Sequence, residues 1–502
     1  MHYNFKHGQH RSIYYLNLFN LSIQRLFFHI SLFTRENLRT LCRSLRSAFQ
    51  CFFRGSKLSR QIFLVLMVVT FHPFPGHALT STTSNVIYGN SPFLTLDAGR
   101  TRIVNADGLL GISLSNGVKY TPSINNSSTT PIELPVVGQS FADISMFVPT
   151  NTYSITLSTL IKPPYNYWGD DDGDDDIKAA GNISLSIFDK NNNPISRKTI
   201  LTICNAPYKV ELSNTDGTLA TNYGVPRSRN FNASNVTYYI TPKRTPEICL
   251  VTPNLRNGTN KYAGPASLWD PKKGFFTRTA RVNAINFPTT GANNLSFKLN
   301  IEGSSEVLSW APVSHSGITA TISGLSIDEA VVRLTGPVAT SSQWNSDNPG
   351  RIAKPVLPQE FKLVARDSRG NEVAKYEFTL RKWFVNRGTD NYSYSNTVSW
   401  CNSLGYRIPL VRDLTNAVRS DVIVASASPP SSGDYYQRRV AAGFFSEWGM
   451  MSYYTGANFS NNFYWTSDVY DSANVSVYAA QGSLTLLPAR DGNEIKGLCI
   501  SD

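Results

Sequence analysis

The stretch Trp400-Cys401-Asn402-Ser403-Leu404-Gly405-Tyr406-Arg407-Ile408-Pro409 decides how the C-terminal part of this 502-residue chain reads. Ser395 or Asn396 can cap a short helix in which Val398 and Cys401, and Trp400 and Leu404, fall on neighbouring turns. Gly405 stands where a helix C-cap requires a positive φ. Pro409 then opens a second helix whose Leu410, Leu414 and Val418 share a face.

Working outward, residues 383–385 (WFV) begin a strand before that helix. A Ser/Pro-rich loop over 426–433 follows it, and then an aromatic tract containing Tyr435, Tyr436, Trp448, Tyr453, Tyr454 and Trp465. Short strands at 475–478, 483–487 and 497–500 finish an α+β module of about 120 residues. Upstream, two-residue alternation predicts β structure: 153–160 (YSITLSTL), 182–188 (NISLSIF), 200–204, 236–240, 295–301, 318–322, 331–334, 361–365 and 374–380. The turns Asp189-Lys-Asn-Asn-Asn-Pro194 and Asp367-Ser-Arg-Gly-Asn371 join two of these into hairpins. Gly370 supplies the positive φ that the second turn needs.

The Cys401 segment, followed by Phe463-Tyr-Trp-Thr-Ser467 and ending in Gly497-Leu-Cys-Ile500, resembles the C-type-lectin-like fold. The stretch 361–387 (FKLVARDSRGNEVAKYEFTLRKWFVNR) joined to the Cys401 helix resembles the adhesion domain of invasin- and intimin-type bacterial adhesins. The resemblance implies a mainly β chain of tandem Ig-like β-sandwich domains followed by an α+β C-type-lectin-like domain. The corresponding division is a presequence at 1–78, a β-sandwich at 79–240, an Ig-like sandwich at 241–381 and the lectin-like module at 382–502. Four cysteines outside the presequence allow three connectivities. Proximity, together with the family's bridge from first helix to last strand, favours Cys204 with Cys249 and Cys401 with Cys499. Such bridges imply an oxidising compartment.

Two departures limit what carries over. The terminal module has no Glu-Pro-Asn, Gln-Pro-Asp or Trp-Asn-Asp tripeptide, so calcium-dependent sugar binding is not supported. A mature chain starting at Leu79 would also leave no room for the N-terminal membrane barrel that usually anchors such adhesins.

The formal charge of +12 misleads about partners. Ten Lys/Arg and a single acid, Glu36, precede Leu79, so nine of the excess charges lie in the presequence and the remainder of the chain is near neutral. No nucleic-acid partner is implied. Arg54, Lys57 and Arg60 precede an apolar run at 62–71, then Pro73, Pro75 and Gly76-His77-Ala78, the order of a secretory signal cleaved after Ala78. The run is too short to span a bilayer as a helix. The chain is expected to be secreted or displayed on the bacterial surface, with association with the outer membrane left open.

Catalysis is disfavoured. His315 is the only histidine after Ala78, all four downstream cysteines are assigned to bridges, and no phosphate-cradling glycine loop opens a helix. No cofactor and no small-molecule substrate are expected. Asp170, Asp172, Asp174 and Asp176 surround Gly173 and form a weak calcium candidate that does not complete an EF-hand loop, so a solvated acidic loop is the plainer reading. The candidate contact surface is Trp448, Tyr453, Tyr454, Tyr435 and Tyr436, because Tyr and Trp offer large rigid contact area. Core packing is the competing role for each. The expected function is adhesion to a host-cell surface receptor, protein or glycan, through the terminal module. The alternatives are a structural or assembly component of the bacterial envelope and a carboxylate-based carbohydrate-active enzyme.

Overall fold

The strand Asn182–Phe188 buries Ile183, Leu185 and Ile187 and exposes or half-exposes the residues between them. This computed structural model describes residues 89–501 except 172, 174–175, 279–284 and 489–491, so the presequence reading lies outside the described residues. Asn182–Phe188 sits in a five-stranded sheet in the order Ile132–Glu133, Ser234–Thr241, Tyr208–Asn214, Asn182–Phe188, Ser154–Thr156. The first of these pairs runs parallel. Leu219 and Phe231, from a smaller sheet of Ser228–Phe231, Gly217–Ala220 and Lys178–Ala180, join the same core as Leu185, Val210 and Tyr238.

A second pair of sheets follows. A seven-stranded sheet contains Glu247–Thr252, Ser296–Glu302, Glu329–Thr335 and Ile318–Ser323, and a three-stranded one contains Ser309–Trp310, Gln359–Arg366 and Glu372–Leu380. Phe297, Leu299, Val332 and Leu334 of the first share a core with Phe361, Leu363 and Phe378 of the second, where Phe361 and Phe378 stack at 5.1 Å.

The two hairpin turns are built alike. Asp189 accepts the amides of Asn191 and Asn193 and the Asn193 side chain; Asp367 accepts the amides of Arg369 and Asn371 and the Asn371 side chain. The fourth turn residue has positive φ in both, 63° at Asn192 and 83° at Gly370. Asp supplies the acceptor and Asn or Gly tolerates the left-handed backbone, so one turn chemistry serves both sandwiches.

The last module begins with Lys382–Asn386 and ends with Leu498–Ser501, and these two strands pair antiparallel, Val385 opposite Cys499. Thr290–Ala292, from the preceding sandwich, pairs parallel on the other side of Lys382–Asn386. A separate sheet of Phe463–Tyr470, Ala473–Tyr478 and Leu484–Pro488 completes it. The helix Tyr394–Leu404 buries Thr397, Trp400, Cys401 and Leu404 and ends at Gly405, whose φ of 85° closes it. Cys401 bridges to Cys499 across 98 residues, and Cys204 bridges to Cys249. The architecture is thus mainly β: sandwiched sheets followed by an α+β module closed by the Cys401–Cys499 bridge.

Several elements differ locally from what the sequence pattern predicts. The helix is capped by Ser393, whose side chain accepts the Asn396 amide, rather than by Ser395 or Asn396. Residues 153–160 are strand only over Ser154–Thr156. Thr156 then caps the single helical turn Leu157–Leu160. Residues 200–204 form no strand; the partner of Asn182–Phe188 is Tyr208–Asn214. The second helix is one turn, Val411–Leu414, and Val418 is exposed. Asp413 turns back to accept the Leu410 amide there, and the chain leaves the helix at Thr415 with φ −147°.

Removing the bridge with Cys401→Ser/Cys499→Ser should cost about 4 kcal/mol, the scale expected for closing so long a loop. Chemical denaturation followed by tryptophan fluorescence measures it, and a loss below about 0.5 kcal/mol would contradict a closing role.

Candidate binding surface and the seam beneath it

Glu447 lies on the short helix Phe444–Trp448 and is fully buried. Its carboxylate accepts five donors: the amides of Thr289 and Thr290, both of their hydroxyls at 2.6 Å, and the Ala441 amide at 2.7 Å. Thr289 and Thr290 belong to the strand segment that the preceding sandwich lends to the module's sheet. A buried carboxylate is tolerable only when its oxygens are saturated in this way. Burial still pushes its pKa up, and the threonine and amide donors pull against that shift.

Arg438 is the second buried charge of the seam. Its Nη1 donates to the Asn254 carbonyl at 2.9 Å and its Nη2 to the Glu447 carbonyl at 2.9 Å, while the guanidinium lies 4.4 Å from the Trp269 ring. Asn254 and Trp269 come from the sandwich, and Arg438 and Glu447 from the module. The fit is close: a Cβ at Gly449 would stand 1.9 Å from Arg438 Nη1, and one at Gly264 would stand 2.0 Å from the Arg438 carbonyl oxygen. Only glycine serves at either place.

This seam settles where the candidate aromatics lie. Trp448 is buried, its indole N–H donating to the Thr290 carbonyl at 3.0 Å and its ring 4.7 Å from Phe287. Tyr454 is buried too; its hydroxyl donates to the Trp448 carbonyl and accepts the Asn254 amide, both at 2.8 Å. Tyr436 is fully buried, and burial pushes its phenol up to about 12. Those three were expected at a contact surface and instead build the junction. Trp400 and Trp465 are fully buried.

Two candidates face outward. Tyr453 is 53% exposed, with the Arg256 guanidinium 5.3 Å above its ring. Tyr435 is half-buried; Lys261 Nζ lies 4.9 Å from its ring and its hydroxyl is 2.6 Å from the Ser432 hydroxyl. Each ring has a cation from the loop that follows Asn254 beside it, which pre-orders it at little entropic cost on binding.

A third charged group steadies the module from within. Asp413 pairs with Lys382 and with Arg407 at 2.9 Å. Burial opposes its charge, yet Lys382, the Leu410 amide and Arg407 outweigh burial and hold the carboxyl below its ordinary value.

Of the acidic loop, Asp172 and Asp174 lie outside the described residues. Asp176 accepts the Asn222 side chain at 3.0 Å, and the neighbouring Asp171 forms a two-point pair with Arg102 at 2.6 and 2.9 Å. Among the described residues, no group of three or more His, Cys, Asp or Glu side chains is disposed to hold a metal ion.

Arg438 and Glu447 were not anticipated from sequence. The available signal was a charge set inside an apolar run, Phe444-Phe-Ser-Glu-Trp448, where a carboxylate is costly unless it is bonded.

No family model matches the chain. It is 27% identical over 138 residues to the inverse autotransporter adhesin YeeJ of Escherichia coli K12, a match covering 27% of this chain and 5% of that relative. The chain is similar to invasin- and intimin-type adhesins. Among solved structures it aligns with invasin, a bacterial integrin-binding protein, at 13% identity and a TM-score of 0.33, covering 66% of this chain and 52% of that one. It also aligns with a C-terminal 282-residue fragment of intimin, in complex with the intimin-binding domain of the translocated intimin receptor. That alignment has 12% identity and a TM-score of 0.30, and covers 66% of this chain and all of that one.

Replacing Glu447 with Ala strands two amides, two hydroxyls and the Ala441 N–H in a dry seam. The expected loss is about 3 to 5 kcal/mol, read as a lowered midpoint in chemical denaturation, with Glu447→Gln losing less. Equal losses for the two variants would deny the carboxylate its organising role.

Proposed function

We propose that this chain is an exported adhesin that binds a host-cell surface receptor without catalysis, using a surface of the terminal module centred on Tyr453 and Tyr435. The observation that carries the reading is the 138-residue match to an inverse autotransporter adhesin. The geometry supports it: the module is tied to the preceding sandwich through Glu447 and Arg438, so a contact made at its surface is transmitted to a stiff support. In this reading residues 1–78 direct export, 79–240 and 241–381 are spacer sandwiches, and 382–502 is the binding module. A protein receptor is favoured over a glycan, because paired tyrosines and cations suit protein hot spots and the sugar-binding tripeptides are missing from the sequence.

Residues 79–502, purified and fluorescently labelled, should bind cultured epithelial cells saturably. Tyr453→Ala should weaken that binding by roughly 2 kcal/mol, about thirtyfold, with an unchanged melting temperature. Saturable binding unaffected by Tyr453→Ala and Tyr435→Ala would move the site elsewhere. Capture of a bacterial envelope protein with no affinity for host cells would replace the adhesin reading with the assembly one.

A further inference from the structure

The first sandwich and the rest of the chain have separate cores. One ends at Ile240 and the other begins at Ile248, so the joint between them is the short segment 241–247. A covalent bond crosses it. Cys204, in the turn Ile203–Asn205, is bridged to Cys249 on Glu247–Thr252, with Cα atoms 5.2 Å apart. Around the bridge the restraints are polar and partly wet. The Glu247 carboxylate is held down by the Ile203 and Cys204 backbone against the upward push of burial, Lys190 donates to the Cys204 carbonyl, and Lys243 pairs with Glu133 at 3.3 Å. An exposed ion pair such as Lys243–Glu133 holds a joint only weakly.

We infer that the Cys204–Cys249 disulfide is a lock on this joint, holding the first sandwich at a fixed angle to the rest of the chain, and that reduction releases the angle without unfolding either part. The bridge closes 45 residues, but most of that loop is already fixed by its own sheet. Tyr208–Asn214 and Ser234–Thr241 pair with each other and bury Tyr208, Val210, Leu212, Tyr238 and Ile240. Loop closure therefore adds little to the sandwich's own fold, and the restraint falls on the joint.

The two disulfides also differ in access. Cys401 and Cys499 are both wholly buried, whereas in the joint bridge Cys249 is buried and only Cys204 is half-buried, which leaves the Cys204 side as the point of access. A thiolate must reach a sulfur in order to exchange, so a small dithiol should open the joint bridge first. With dithiothreitol the reagent is oxidised to its cyclic disulfide, and Cys204 and Cys249 each leave as a thiol.

Small-angle scattering of the full exported chain tests the lock. The native protein should fit one shape, and Cys204→Ser/Cys249→Ser should fit only an ensemble of joint angles while keeping the native near-ultraviolet circular dichroism. Superimposable scattering curves, or a variant that loses its near-ultraviolet signal, would overturn the inference. Alkylation under mild dithiothreitol, read by mass spectrometry, should label Cys204 and Cys249 before Cys401 and Cys499. Equal labelling of the two pairs would refute a selective lock.

Discussion

The carboxylate of Glu447 against Thr289 and Thr290 is the constraint on which the C-terminal half depends. A bare carboxylate in a dry interior costs several kcal/mol, and here five donors converge on it from two parts of the chain. The threonines also pin the strand Thr290–Ala292, which pairs with Lys382–Asn386, which in turn pairs with the closing strand Leu498–Ser501. Sandwich, seam and terminal module are thereby connected through one sheet.

Arg438 gives the seam its second fixed point. Its guanidinium is sandwiched between Trp269 and carbonyls from both sides, and Gly449 and Gly264 are glycines because Arg438 leaves no room for a Cβ. One cluster of buried hydrophobic residues contains members of both the sandwich and the module, from Ile248 to Ile500, with Ile408, Trp465 and Ile495 in a small cluster of their own. The functional consequence is mechanical. The outward tyrosines sit on a module tied to its support by these buried bonds, and the cations beside their rings, Arg256 and Lys261, come from the support itself.

Much of the fold was legible because local pattern and global role agreed. Ile183, Leu185 and Ile187 alternate and are buried, Asp367 and Gly370 make the turn they suggest, and Gly405 ends the helix. Both cysteine pairs are those that proximity and the family resemblance favoured. Where local signals competed, the reading slipped. Threonine at 156 fits a strand and a helix cap equally, and the cap won. Residues 200–204 alternate suitably, but Tyr208–Asn214 offers the longer apolar face to the same partner.

The candidate surface was only partly legible, since a tyrosine's suitability for an interface and for a core rests on the same ring. What separated Tyr453 from Tyr454 was the seam, a tertiary feature made by residues as far as 200 positions apart, such as Asn254 donating to the Tyr454 hydroxyl. Glu447 inside the apolar run 444–448 was the one sequence-level trace of that seam.

The central claim is that the seam makes the preceding sandwich and the terminal module one cooperative body. Hydrogen–deuterium exchange in increasing denaturant tests it most directly, comparing peptides over Ser296–Glu302 with peptides over Ala473–Tyr478. The account predicts that both lose protection at the same denaturant concentration. Loss of protection in the module while the sandwich strand stays protected would contradict it.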